Sequence, residues 1–376
     1  MLKSIKIENF RCFKSFELQQ LGRINLLVGE NNSGKTSILE AVQLLCSRTN
    51  LEPLGEIMIN RGEYVWSDHN KRDHQVDIRH LFYGHQTEDK SKFSISGIND
   101  NTQEELDVLI HTPRSYNTIS RYEKTDIYEE DASFDKLNKL ILSVKWKIGQ
   151  QEFVTLRAIS RDGGISTESL RLSRNSNKEE SLSRKLKTQF VKSSSLKTEE
   201  MIDLFDQLVL TPEENIVADA LNKIDSKIKR IAPISSQKLR YSSDSRGGFL
   251  VLLADGKRVP IGSMGDGIWR ILGLALAIVS AKDGYLFVDE IDTGLHFTAM
   301  SDMWKMIWDT AKKLNVQVFA TTHNSDCWKS LAEIAQQENV TDDGIRIHRI
   351  EKGKEKSIVF NEAQIVIAAE RELEVR

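Results

Sequence analysis

Gly29-Glu30-Asn31-Asn32-Ser33-Gly34-Lys35-Thr36 fits the pattern G-x-x-x-x-G-K-[ST] without a mismatch. The apolar run Ile24-Asn25-Leu26-Leu27-Val28 precedes it, and Ser37-Ile38-Leu39-Glu40-Ala41-Val42-Gln43-Leu44-Leu45, apolar at helical spacing, follows. The motif therefore falls at a strand-to-helix turn, the setting a phosphate-binding loop needs. Glycines there let the backbone curl until its N–H groups point inward, and the helix N-terminus adds partial positive charge where an anion would rest. Lys35 would reach the β- and γ-phosphates of a nucleotide, and the Thr36 hydroxyl would hold Mg²⁺. Glu30, Asn31, Asn32, Ser33, Gly34 and Ser37 complete the candidate cradle. A plain glycine-rich turn is the competing reading, and the strand before and the helix after argue against it.

The remaining composition sets limits. At 376 residues the chain has room for two domains, or for one with a large insertion. A net charge of −3 gives no global field for nucleic acid, so any polyanion contact needs a local patch. The longest apolar run, 271–279, is well short of the roughly 20 residues that span a bilayer. The alternating start Met1-Leu2-Lys3-Ser4-Ile5-Lys6-Ile7 is unlike a signal peptide. Cys12, Cys46 and Cys327 are too few and too scattered for a disulfide framework or a zinc site. No membrane partner and a cytoplasmic location are the expectations.

Patterning predicts two or three strands over 1–28, a helix over 34–46, and further strands at 76–83 and 93–96, giving an antiparallel layer beside the phosphate-binding half. From about 99 to 230 the chain is polar, broken by strand-like 141–146 and 153–156. Arg171, Arg174, Lys178, Arg184, Lys185, Lys187, Lys192 and Lys197 are interspersed there with serines. Aromatic residues are scarce, so a solvated loop is favoured over a nucleic-acid surface. Met201, Leu204, Phe205 and Leu208 share a helical face. Thr211-Pro212-Glu213-Glu214 reads as a capping box opening a second helix through Ile216, Ala220, Leu221, Ile224 and Ile228. A hairpin at 249–261, a helix at 268–279, and alternating strands and helices to residue 360 complete the α/β pattern.

Leu286-Phe287-Val288-Asp289-Glu290 is an apolar strand ending in two acids. Asp289 would orient Mg²⁺, and Glu290 would polarise the water attacking the γ-phosphate. Ala320-Thr321-Thr322-His323-Asn324-Ser325 ends another buried strand, making His323 a γ-phosphate sensor or else a structural histidine. Asp292, Thr293, Gly294, Leu295 and His296 would face the same edge. Ser263-Met264-Gly265-Asp266-Gly267 opens a long apolar helix, a second phosphate-compatible start that is either a packing turn or part of a site on another subunit.

These residues in this order, together with Ile7-Glu8-Asn9-Phe10-Arg11, resemble the ABC-type ATPases of the SMC and RecF kind, and more closely the AAA15/OLD-like ATPases of bacterial defence or repair operons. The resemblance covers about 1–98 and 231–360. It implies an ABC-type ATPase head: a mixed sheet with a P-loop core plus an antiparallel β layer, its halves at 1–98 and 231–376, with an inserted, partly helical lid or partner-docking segment at 99–230. It also implies ATP and Mg²⁺ as ligands and a head-to-tail homodimer sandwiching two ATP molecules, each between the phosphate loop of one subunit and Ser263 and Gly265 of the other. By the same resemblance Glu290 is the general base, Asp289 and Thr36 serve the metal, His323 is the switch residue, Asp292 couples the sites, and Arg11 joins the nucleotide contacts. Met264 departs from the paired glycines usual after the serine, and the family's Mg²⁺-facing glutamine has no clear counterpart, Gln86 being a candidate. The middle segment lacks sustained heptads, and no acidic nuclease cluster follows residue 360. The expected role is a slow, regulated ATPase controlling a separate effector protein in anti-phage defence; the alternative is a RecF-like, DNA-binding ATPase of repair. Asn222-Lys223-Ile224-Asp225 spells a guanine-recognition tetrad but lies within an amphipathic helix, which argues against GTP.

Overall fold

The computed structural model describes residues 1–65, 75–85, 87–100, 102–112, 140–160, 162–171, 186–234, 248–337 and 343–375. Contacts gather the chain into two compact units: residues 1–19, 40–185 and 353–357 form one, and 20–39, 186–352 and 358–376 the other.

The first unit is built on a six-stranded antiparallel sheet in the order Phe13–Leu18, Leu2–Phe10, Lys92–Asn99, Thr102–His111, Ile141–Ile148, Gln151–Ala158. Leu2, Ile5, Ile7 and Phe10 are buried while Lys6 and Glu8 between them are not, and Lys92–Asn99 and Thr102–His111 repeat the two-residue period. Such alternation covers one face of a sheet and leaves the other toward water. The rings of Phe10 and Phe82 both pack on Phe93, at centroid distances of 5.1 and 5.2 Å.

Thr102–His111, Ile141–Ile148 and Gln151–Ala158 extend the sheet begun by Leu2–Phe10, since short alternating runs gain hydrogen bonds and a covered face only by joining one. The alternation at 76–83 yields a strand only over Gln75–Asp77. The Asp77 carboxylate then accepts from Arg79 N at 3.1 Å and starts the 3₁₀ turn Ile78–Leu81. The basic stretch 171–197 and Gln86 lie partly or wholly outside the described residues.

The second unit centres on a six-stranded sheet ordered Thr188–Val191, Tyr285–Val288, Gln317–Thr321, Ile24–Val28, Ile345–Arg349, Ile358–Phe360, parallel except for its last strand. Ile24–Val28, Tyr285–Val288 and Gln317–Thr321 are buried along their whole length, as strands covered on both faces must be. Helices Asp266–Ser280, Met300–Leu314 and Ser325–Gln337 bury their apolar sides in the same core. Thr198–Asp206 and Pro212–Ile224 bury apolar residues in it as well.

Pro212 opens its helix as expected, but Thr211 makes no side-chain cap. Leu210, at φ 62°, instead donates its N–H to the Glu214 carboxylate at 2.9 Å, and Thr211 Oγ1 donates back to Leu208 O at 2.7 Å. The helix stops at Ile224, and Ile228 begins the strand Ile228–Pro233 of a small antiparallel sheet with Phe249–Leu253 and Arg258–Pro260. Within the tetrad at 222–225, Asn222 donates to Ile228 O at 2.7 Å and Lys223 pairs with Asp309 at 3.0 Å. These residues close a helix.

A polar knot sits in the parallel sheet. Asn25 donates to Gly22 O at 2.8 Å and accepts from Gly22 N at 2.9 Å, while Gln317 also donates to Gly22 O at 2.8 Å. His348 is fully buried, with Nε2 3.3 Å from Asn25 Oδ1. Burial, aided by the Arg346 charge, holds the His348 imidazole down to about 3. The unfolded chain, with an ordinary histidine near 6.5, binds this proton first as pH falls, so the native state loses stability from about pH 6.5 downward, by at most about 1.4 kcal/mol per pH unit. In His348→Leu, urea midpoints measured from pH 7 to pH 4 should fall less steeply than in the parent chain.

Candidate active site

Three parallel strands deliver their carboxyl ends to one edge, the place where open α/β sheets bind ligands. After Ile24–Val28 the chain turns through Gly29 at φ 144°, Asn32 at φ 60° and Gly34 at φ 96° into helix Lys35–Ser47. A Cβ on Gly29 would stand 2.3 Å from Ile350 O, so no side chain fits there. Glu30, Asn31 and Asn32 are exposed, whereas Ser33 and Ser37 are buried. Lys35 Nζ donates to Gly29 O and Glu30 O, each at 2.8 Å, which folds the ammonium over the loop. Burial pulls Lys35 below its ordinary value, and the charges of Asp289 and Glu290 pull it back up.

Across the edge stand the two acids. Thr36 Oγ1 lies 3.1 and 3.2 Å from the two carboxylate oxygens of Asp289. Thr321 Oγ1 donates to Asp289 Oδ1 at 2.7 Å and accepts from Glu290 N at 2.8 Å, so one buried hydroxyl fixes both acids. Glu290 takes a left-handed backbone, φ 46°, which turns its side chain out of the strand line. Its half-exposed carboxylate has His323 Nδ1 at 3.8 Å and Thr293 Oγ1 at 3.4 Å. Asp292 is buried and accepts from Thr322 Oγ1 at 2.6 Å, and Thr322 Oγ1 in turn accepts from Asn324 N at 3.0 Å. Lys35, Thr36, Asp289, Glu290 and His323 thus come together as the motifs imply.

The other sequence-derived candidates stand apart from that group. Ser263 lies in the 3₁₀ turn Ile261–Met264 and donates to Pro260 O at 2.7 Å; Gly265, at φ 92° and exposed, caps the start of helix Asp266–Ser280. Arg11, expected at the nucleotide, is 7% exposed and engaged within the first unit: Nε is 2.7 Å from Glu40 and Nη1 is 2.7 Å from Glu63. A buried carboxylate and a half-buried one compensate its charge better than a solvated loop would.

The residues fit a nucleotide with its metal on structural grounds. Thr36 and Asp289 present oxygen atoms alone, the donor type Mg²⁺ takes. Ser33 Oγ, buried at the base of the cradle, has no hydrogen-bond partner among the described residues. Among those residues no group of three or more His, Cys, Asp or Glu side chains forms another metal site, and no helix is long and apolar enough to cross a membrane.

Comparison with known proteins decides the family. A model of the AAA ATPase domain, AAA_15, matches residues 1–327. The chain belongs to the AAA_15 family of ATPases. It is 23% identical over 367 residues to an "ATP/GTP phosphatase" of Helicobacter pylori, a match spanning 90% of each chain. A stretch of 44 residues is 48% identical to the DNA replication and repair protein RecF of Clostridioides difficile, covering 12% of each. An SMC head domain from Thermotoga maritima aligns over 96% of this chain and 98% of that one at 9% identity, with a TM-score of 0.42. The mixed α/β architecture is the one expected for this AAA_15 ATPase.

Arg270 and Thr321 contribute site contacts that motif reading assigns to neither residue. A lone arginine inside the apolar run Ile268-Trp269-Arg270-Ile271-Leu272 is the signal for the first; Thr321, next to the expected Thr322 and His323, gives none. Replacing Thr321 by Val leaves Glu290 N–H without its side-chain acceptor and removes one of the two hydroxyls that donate to Asp289. Urea denaturation should show a loss of about 1–3 kcal/mol.

Proposed function

We propose that this AAA_15 ATPase binds ATP with Mg²⁺ in the 29–36 cradle and hydrolyses it once a second copy closes the site with Ser263 and Gly265. The observation that carries the reading is the approach of Thr36 to Asp289, within 3.2 Å, beside an outward-turned Glu290. The curled backbone and Lys35 would hold the phosphates, and Ser33 Oγ would gain a partner. Thr36 and Asp289 would hold Mg²⁺, which would supply positive charge against the phosphates. Glu290 would accept the proton of the attacking water, and His323, at 3.8 Å from that carboxylate, would sense the γ-phosphate. Asp292, locked to Thr322, would couple one site to the other.

A single mononucleotide needs one cradle, and the exposed turn at Ser263 and Gly265 offers another at a helix start. That supports closure by a twin molecule. We further assign the cycle to switching a separate effector protein, in anti-phage defence, rather than to direct work on DNA; the net charge of −3 supplies no attraction for a polyanion.

Lys35→Ala should abolish ATP binding in equilibrium dialysis. Glu290→Gln should bind ATP, accumulate as a dimer in light scattering, and hydrolyse at least roughly 100-fold more slowly. Hydrolysis by Glu290→Gln at the parent rate would overturn the base assignment, and full turnover by a chain that stays monomeric at saturating ATP would overturn the twin closure. Duplex DNA should leave the parent rate unchanged; several-fold stimulation, lost as salt rises, would instead favour the repair role.

A further inference from the structure

Arg270 lies in helix Asp266–Ser280, a little more than one turn past the exposed Gly265, and is 3% exposed. A guanidinium withdrawn from water costs several kcal/mol unless its donors are satisfied. Its Nη donors go to main-chain carbonyls, Nη1 to Lys192 O at 2.8 Å and Nη2 to Asp289 O at 3.3 Å and Glu290 O at 3.1 Å, while Nε has no hydrogen-bond partner among the described residues. Burial draws Arg270 down to about 10, against the pull of Asp292, Asp289 and Glu290, so it stays charged at neutral pH.

The carbonyls it holds belong to the sharpest bend of the site. At Glu290 the backbone leaves the strand at φ 46°, a conformation that costs a non-glycine residue about 1–3 kcal/mol and persists only when its surroundings enforce it. On the N–H side the bend is pinned by Thr321, through Glu290 N to Oγ1 at 2.8 Å and Ile291 N to Thr321 O at 3.0 Å. On the carbonyl side Thr293 N reaches Glu290 O at 3.0 Å, and Arg270 spans Asp289 O and Glu290 O together. Arg270 is thus the side chain by which the helix that starts at Ser263 and Gly265 grips the main chain of the acidic pair.

We propose that Arg270 is a positioning residue: it fixes the left-handed turn that aims the Glu290 carboxylate, and it ties that aim to the helix whose start faces the twin molecule. The inference rests on the hydrolytic reading of Glu290. The Nη donors of Arg270 are taken by main-chain carbonyls, so its effect should pass through Glu290 and fall on the chemical step rather than on nucleotide capture.

The test uses the full chain with Arg270→Lys, which keeps the charge but loses the fork, and Arg270→Gln, which keeps a short donor. Both should retain ATP affinity and KM within about threefold while kcat falls roughly 10- to 100-fold, the scale of a misplacement near one ångström. In a Glu290→Gln background the same changes should cost nothing further, because a residue acting only through Glu290 has nothing left to aim. Parent-like kcat in both variants, or losses that multiply with that of Glu290→Gln, would overturn the proposal. So would failure of both variants to unfold cooperatively, which would make Arg270 a fastener of the core alone. A Glu290→Gln chain as active as the parent would sink the hydrolytic reading instead, a result distinguishable from all of these.

Discussion

Asp289 accepts hydrogen bonds from two hydroxyls on two different chain segments, and the rest of the site is arranged by that fact. Thr36 belongs to the helix after strand Ile24–Val28, and Thr321 ends strand Gln317–Thr321, so one carboxylate ties three neighbouring connections together. Geometry of this kind needs a parallel register in which strand ends stay level. The fully buried strands provide it, because sliding any of them would expose apolar surface and break the ladder on both sides. The catalytic edge is therefore as rigid as the core beneath it.

The division of labour between the two units follows from their sheets. The antiparallel one hides a single face and alternates; the parallel one hides both and does not. Every residue assigned here to phosphate, metal or water lies in the second unit. Arg11 belongs to the first, where Glu40 on the far part of the phosphate-loop helix claims its charge together with Glu63.

Much of this was legible from residue order alone. The phosphate loop announces itself because its glycines, lysine and threonine each answer a separate physical demand at fixed spacing, and the acidic pair because an apolar strand ending in two carboxylates has few other uses beside such a loop. What escaped was whatever depends on partners remote in sequence. Alternating runs at 102–111, 141–148 and 151–158 say "strand" but not which sheet they join. Thr211 and Glu214 have the spacing of a capping box, yet the left-handed Leu210 redirected both side chains. Arg270 escaped because a buried arginine is meaningful only once the carbonyls it serves are in place.

Glu290 carries a further implication through its backbone. A residue with a side chain is held where glycine would be at ease, so relief of strain and retention of the carboxylate oppose each other at this one position. Selection for heat tolerance alone would drift toward variants that rest more comfortably and do nothing, and laboratory evolution of this ATPase must screen turnover alongside melting temperature.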